Sequence, residues 1–104
     1  MTNIEYHYYW LHLYVQNGVG VMARINVILR KFGVNIQSID VSVAEGTSAF
    51  SNIVFDLEST RDEHGIGIVM RKLERLIPVV KVEWKKVADK AKKTSRSAAK
   101  EFEF

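Results

Sequence analysis

Cysteine is absent from the 104 residues, and proline occurs once. Without cysteine there is no disulfide framework, zinc ribbon, iron–sulfur cluster or thiol nucleophile. A cysteine-free chain fits a reducing, cytoplasmic setting. No apolar run approaches the roughly 20 residues that a membrane helix needs. The segment Met1–His7 is polar and carries Glu5, unlike the basic start and apolar stretch of a secretory signal. Histidine is scarce as well: His7, His12 and His64. His7 and His12 are five apart on a predicted strand and so face opposite ways. None of the three stands near a serine and a carboxylate in a recognisable order. The sequence therefore supports neither a triad nor a two-histidine metal site. Asp40, Asp56 and Glu58 sit at polar positions of predicted strands, as solvated carboxylates do. No enzyme chemistry is expected of this chain.

What remains is ordinary for one small globular domain: 47% apolar and 26% charged residues, with a net charge of +3. That charge is local. From Lys85 to Lys100 there are seven basic residues against Asp89 alone, so the basicity belongs to the end of the chain. The remainder is near neutral and gives no electrostatic footprint for nucleic acid. It also lacks the Lys/Arg-Gly-Phe/Tyr motif of an RNA-binding sheet. The twenty residues after Trp84 are rich in alanine and lysine and have a thin apolar stripe at Val87, Ala88 and Ala91. They read as a solvated, partly helical extension or as a basic arm for a partner.

Periodicity organises the rest. Tyr8–Val15 is aromatic and β-branched, the composition of a strand. Tyr9, Leu11, Leu13 and Val15 share one face, and Tyr8, Trp10, His12 and Tyr14 share the other. Asn17-Gly18-Val19-Gly20 reads as a turn. Val21, Ile25, Ile28, Leu29 and Phe32 then recur at helical spacing, with Gly33 placed as a C-cap. Ile39, Val41 and Val43 alternate in a second strand, Glu45–Ser48 reverses the chain, and Phe50–Glu58 forms a third. Ser59–Glu63 offers helix caps. Ile66, Val69, Met70, Leu73, Leu76 and Ile77 form a second helical stripe, which Pro78 ends. Val80, Val82 and Trp84 alternate with Lys81, Glu83 and Lys85 in a last strand. The order β-α-β-β-α-β predicts an α+β, ferredoxin-like fold: a four-stranded antiparallel sheet with both helices on one face. The expected division is an N-terminal extension 1–7, a domain 8–85 and a basic tail 86–104. The helix-free face would expose the aromatic stripe of the first strand, a surface for the tail or for another protein.

The glycine turn carries the most chemistry. It leads from a strand to a helix whose first N–H groups have no intrahelical partners and whose dipole favours an anion. Gly18 and Gly20 allow close approach to the main chain. This outlines a site for a small carboxylate, or simply a tight connection. The GxxxxGK[ST] pattern of a phosphate loop is missing.

These residues also resemble a known family. Leu13-Tyr-Val-Gln-Asn-Gly-Val-Gly-Val-Met-Ala-Arg-Ile, then Phe32-Gly-Val-Asn-Ile-Gln-Ser-Ile-Asp-Val, is similar to the ACT domain, and most to the small regulatory subunit of acetolactate (acetohydroxyacid) synthase. Asn17, Gly20, Met22 and Arg24 match its first block. Gly33, Asn35, Ile36, Gln37 and Ser38 match its second, and Leu73–Val82 resembles its ending. The resemblance runs from about Leu11 to Trp84.

It implies a regulatory, non-catalytic role. Such domains pair through edge strands into a homodimer and bind an amino acid at the interface. The implied ligand is valine, leucine or isoleucine, acting in feedback on branched-chain amino acid biosynthesis. The implied partner is the acetolactate synthase catalytic subunit; it uses thiamine diphosphate, and the chain itself needs no cofactor or metal. The resemblance places the ligand carboxylate against Gly20, Val21 and Met22, with Asn17 and Gly18 in the turn. Asn35 from the neighbouring protomer and an apolar lining of Ile36 and Met22 complete the implied site. Asn17 and Asn35 otherwise serve only to tie turns. The chain departs from the family at Ser51-Asn52-Ile53 and Gly18-Val19, and after Trp84 it has a short tail where larger members have a second domain. The alternative is a stand-alone ACT sensor or interaction module serving another amino-acid enzyme or a regulator.

Overall fold

The computed structural model describes residues 4–46 and 48–88. Most of the basic stretch, from residue 89 on, lies outside the described residues, as does the start of the N-terminal extension. The elements are β1 (His7–Gln16), α1 (Val21–Lys31), β2 (Val34–Val43), β3 (Phe50–Ser59), α2 (Glu63–Glu74) and β4 (Val79–Val87). The sheet order is β2-β3-β1-β4, antiparallel throughout. This is the ferredoxin-like α+β fold that the periodicity predicts. His7 belongs to β1, and β4 runs on to Val87, so the sheet extends slightly past both expected ends. Among the described residues no helix is long and apolar enough to cross a membrane.

Both helices pack on one face. Val21, Ile25 and Leu29 of α1 and Ile66, Val69, Met70 and Leu73 of α2 meet Tyr9, Leu11, Leu13, Ile53, Phe55 and Leu57 in one core. Trp84 lies on this side: it packs on the core and meets Tyr9 edge-to-face, with ring centroids 6.0 Å apart. Two apolar residues leave their expected places. Ile77 is exposed, because α2 ends at Glu74 and the turn before Pro78 breaks the helical period. Val80 is exposed because a register shift between Tyr14 and Val15 pairs Val15 with Val79, and Val79 takes the buried position.

The helix ends are tied by side chains. Gly33 takes φ +74 after α1, which favours glycine. The Ser59 hydroxyl donates to the Gly33 carbonyl at 3.1 Å, and the Arg61 guanidinium donates to the Phe32 carbonyl at 2.7 Å. The Tyr9 hydroxyl donates to the Arg61 carbonyl at 2.6 Å. Burial, then Glu63 and Asp62, push the Tyr9 phenol up to about 12. At α2 the Asp62 carboxylate accepts the Gly65 N–H at 2.9 Å, and this bond pulls the acid below its ordinary range.

The helix-free face is not the open aromatic surface that the sequence suggests. On it Trp10 and His12 are only 2% and 1% exposed. His12 Nε2 lies 2.8 Å from Asn52 Oδ1, and Nδ1 lies 3.8 Å from a Glu83 carboxylate oxygen. Burial lowers the imidazole pKa from its usual 6.5; Asn52 and Glu83 act against that shift, and Lys81 acts with it. The folded chain therefore holds His12 neutral, while the unfolded chain protonates it near 6.5. Below that value the unfolded state binds more protons, so stability falls as pH drops toward the lowered folded value. The urea midpoint is expected to decline from about pH 7.5 to about 5.5, and to decline less steeply in His12→Gln. Equal slopes in the two proteins would remove His12 as the cause.

Candidate functional site

The turn between β1 and α1 opens on a pocket of about 320 Å³. Its lining includes Asn17, Gly18, Gly20, Val21 and Met22, five of the seven residues singled out in the sequence. Val15 from β1, Ala23 from α1, Val41 from β2, and Ser51 and Ile53 from β3 complete it. The size suits a small molecule. The walls are apolar, and among the described residues no charged side chain lines them.

The backbone supplies the polarity. Gly20 is the N-cap of α1 with φ +80, in the left-handed region, and its side carries no capping hydrogen bond. A Cβ there would meet nothing within 4 Å, so conformation rather than space selects glycine. The helix's first turn contains no acidic residue. Its first intrahelical bond runs from the Arg24 N–H to the Gly20 carbonyl at 3.0 Å, leaving the Met22 and Ala23 N–H groups without intrahelical acceptors. The contrast with α2 is informative. That helix begins on its own carboxylates, Asp62 and Glu63, whereas α1 begins on bare amides beside a pocket. Electrostatically the pocket floor favours an anion.

Gly18 differs from Gly20. No left-handed conformation is required of it, and a Cβ would touch only Val21 Cγ2 at an ordinary 3.5 Å. Gly18→Ala is therefore expected to leave thermal stability nearly unchanged, within about 0.5 kcal/mol. A large loss would show that the turn is tighter than this geometry.

Asn17 is mainly a tie. Its backbone N–H donates to the Ala49 carbonyl at 2.8 Å. The Ser51 hydroxyl donates to Asn17 Oδ1 at 2.7 Å, which orients the amide so that Nδ2 donates to the Ser48 carbonyl at 2.7 Å. The side chain thus fixes the β2–β3 hairpin against the glycine turn and sets the pocket's shape. One amide hydrogen and one lone pair remain for a ligand.

Asn35 and Ile36 are not brought to this pocket. They stand at the start of β2, six residues or about 20 Å of strand before Val41. Asn35 Nδ2 faces the Glu58 carboxylate at a long 3.5 Å, and Ile36 packs on the core. Sequence reasoning in turn missed Val15, Ala23, Val41, Ser51 and Ile53 as walls. The signal was weak: only strand pairing, Val15 opposite Ser51 and Val41 opposite Ile53, assembles them.

The pocket opens beside β2, an edge strand. Ile39, Val41 and Val43 lie on its helix side yet are 40%, 53% and 62% exposed, since α1 does not reach over them. An apolar edge with unpaired backbone groups is a template for another strand. Among the described residues no cluster of His, Asp or Glu is suited to a metal.

Comparison with known proteins agrees with this architecture. The curated proteins yield no match. Among solved structures, the acetolactate synthase small subunit from Thermotoga maritima is 30% identical with a TM-score of 0.61, covering 77% of this chain and 47% of that one. The ACT domain from GTP pyrophosphokinase of Chlorobium tepidum is 17% identical, TM-score 0.64, over 78% of this chain and all of that one. A homoserine dehydrogenase from Thiobacillus denitrificans is 22% identical, TM-score 0.66, over 83% of this chain. The chain spans only 18% of that dehydrogenase and under half of the Thermotoga subunit, and the last two likenesses concern the fold alone. Residues 11–81 match the family described as the AHAS small subunit-like ACT domain. With that match covering more than half of its length, the chain belongs to the AHAS small subunit-like ACT domain family.

Proposed function

We propose that the chain is an amino-acid-binding regulatory subunit of acetolactate synthase, mediating feedback control of branched-chain amino acid biosynthesis. The observation that carries this reading is the pocket at the start of α1: apolar walls of branched-chain size over a floor of amides without intrahelical acceptors, in a chain of this family. An α-carboxylate would accept from the Met22 and Ala23 N–H groups. Val15, Met22, Val41 and Ile53 would enclose an aliphatic side chain. The spare lone pair of Asn17 is the acceptor at hand for the ammonium.

The separation of Asn35 and Ile36 from the pocket fits the same reading. If two copies join antiparallel along β2, the start of one strand meets the end of the other. The start of the partner's β2, which carries Asn35, then lies beside the end of β2 where the pocket opens, and the apolar residues of both edges are covered. Ligand binding between the copies would bias how they pack, and so act on a catalytic subunit that uses thiamine diphosphate. Couplings of this kind are typically worth about 1–3 kcal/mol.

Titration calorimetry with valine, leucine and isoleucine, with threonine and phenylalanine as controls, tests the ligand. Saturable heat with a branched-chain amino acid is expected, and it should weaken in Asn35→Ala. Binding of phenylalanine alone would redirect the reading to another amino-acid enzyme. Reconstitution with an acetolactate synthase catalytic subunit tests the partner; activity indifferent to the chain and to valine would refute that part.

A further inference from the structure

Val19 and Ile77 are each at least 94% exposed, more than any other large apolar residue described. Val19 stands in the glycine turn before α1 and Ile77 in the turn between α2 and β4, where Gly, Pro, Asn, Asp and Ser are the usual residues. Neither belongs to the core, so packing does not account for either. The two turns share an anchor at the end of β1. The Gln16 N–H donates to the Pro78 carbonyl at 2.7 Å, and the Asn17 N–H to the Ala49 carbonyl at 2.8 Å. The Val79 N–H closes the α2–β4 turn on the Leu76 carbonyl at 3.0 Å, and the Val21 N–H closes the glycine turn on the Gly18 carbonyl at 3.4 Å. Two aliphatic side chains are thus held out into solvent on hydrogen-bonded bases, at the end of the sheet that holds the pocket.

Resting on the regulatory-subunit reading above, we propose that this pair of turns is the surface on which the catalytic subunit docks, and that Val19 reports the state of the pocket to it. Position gives Val19 that role. It lies between Gly18 and Gly20, which both line the pocket, so an amino acid that fastens on the amides at the start of α1 fixes the turn that carries Val19. Ile77 is outside the pocket lining and serves as an anchor. Topology keeps the surface open. The order β2-β3-β1-β4 puts the α2–β4 turn at the edge opposite β2, so two copies joined along β2 leave it uncovered. Charge gives the chemistry of the occupant. Arg24 in the first turn of α1, and Arg71 and Arg75 at the end of α2, are exposed, and Glu74 is the acid among them. Glu45 stands across the sheet, on the β2–β3 hairpin. Among the described residues none of the three arginines forms an ion pair. The patch fits a partner surface with an apolar hollow rimmed by carboxylates, so that apolar contact is central and charge peripheral.

Docking is measured as the Kd of the full chain for an acetolactate synthase catalytic subunit, with and without valine, and valine calorimetry on each variant checks the pocket. Val19→Ser and Ile77→Ser are each expected to weaken docking about tenfold. Both should bind valine as the parent does, because the side chains removed stand in solvent. Arg75→Glu should also weaken docking, and more at low salt than at high. Val27→Ser, which removes an exposed side chain from the middle of α1, should change nothing. Valine should shift the parent's Kd severalfold; that factor should shrink toward one in Val19→Ser and persist in Ile77→Ser. Docking as tight in Val19→Ser and Ile77→Ser as in the parent would overturn this surface and leave the regulatory-subunit reading standing, as would an equal loss in Val27→Ser. The parent's full valine factor in Val19→Ser would remove Val19 as the reporter. Loss of valine heat together with docking would assign the effect to turn geometry and overturn the surface too. A parent chain that binds no catalytic subunit would instead refute the partner itself, and the docking surface with it.

Discussion

Replacing Gly20 with aspartate is expected to eliminate measurable valine binding, while Gly20→Asn binds with reduced affinity. The pair separates two effects that any single substitution confounds. Gly20 sits at φ +80, where a side chain adds strain, but asparagine and aspartate are the residues that tolerate this region best. Their strain is similar, and the space beyond the Cβ is open in both. The difference between them is one negative charge at the pocket floor. At about 5 Å from a bound carboxylate, in an effective dielectric of about 20, that charge costs about 3 kcal/mol, roughly two orders of magnitude in Kd. Calorimetry on both variants reads the difference. Equal affinities would mean that the carboxylate is not held at the start of α1, and the proposed pose would fall. Loss in both variants, with their fold intact by circular dichroism, would assign the effect to turn geometry instead.

The second large effect is on stability. Phe55→Ala is expected to cost about 4 kcal/mol, a large part of the roughly 5–15 kcal/mol that holds an ordinary domain together. Phe55 is fully buried at the centre of β3, in register with Leu11 on β1 and Ile39 on β2. It lies under both helices, so the cavity left by its ring cannot collapse without moving the core. Ile39→Ala is the control. It is the next residue on the same face, but it stands on the edge strand and is partly exposed, so its loss should cost under about 1 kcal/mol in the monomer. Urea unfolding at low protein concentration reads both. Comparable losses would show that β2 is covered in solution even at that concentration.

Local chemistry was legible because it depends on neighbours in the chain. A period of two separates the faces of β1, and a period near 3.6 picks out Val21, Ile25 and Leu29, all buried as expected. Gly33 marked the end of α1 through a backbone angle that favours glycine, while Ser59–Glu63 offered several caps for α2, of which the structure uses Asp62. The glycine turn before an uncapped helix was visible for the same reason, and so was the family block around it. Ile77 and Val80 misled the reading where a helix end and a register shift reset the period.

Sequence alone thus determined the order and type of the elements, their apolar faces and the anion-favouring turn, since steric and hydrogen-bond preferences act over a few residues. Tertiary structure decided what distant segments do to one another. The order β2-β3-β1-β4 makes β2 an edge, which leaves Ile39, Val41 and Val43 exposed beside the pocket. Pairing of β1 with β3 brings Ser51 onto Asn17 and turns a family-matched amide into a hairpin tie. Pairing of β2 with β3 sets Asn35 and Ile36 at the far end of β2, and the folded chain buries Trp10 and His12 on a face that composition alone leaves bare. Each of these contacts joins residues far apart in the chain. Their energy depends on which strands lie side by side, and no local pattern encodes that.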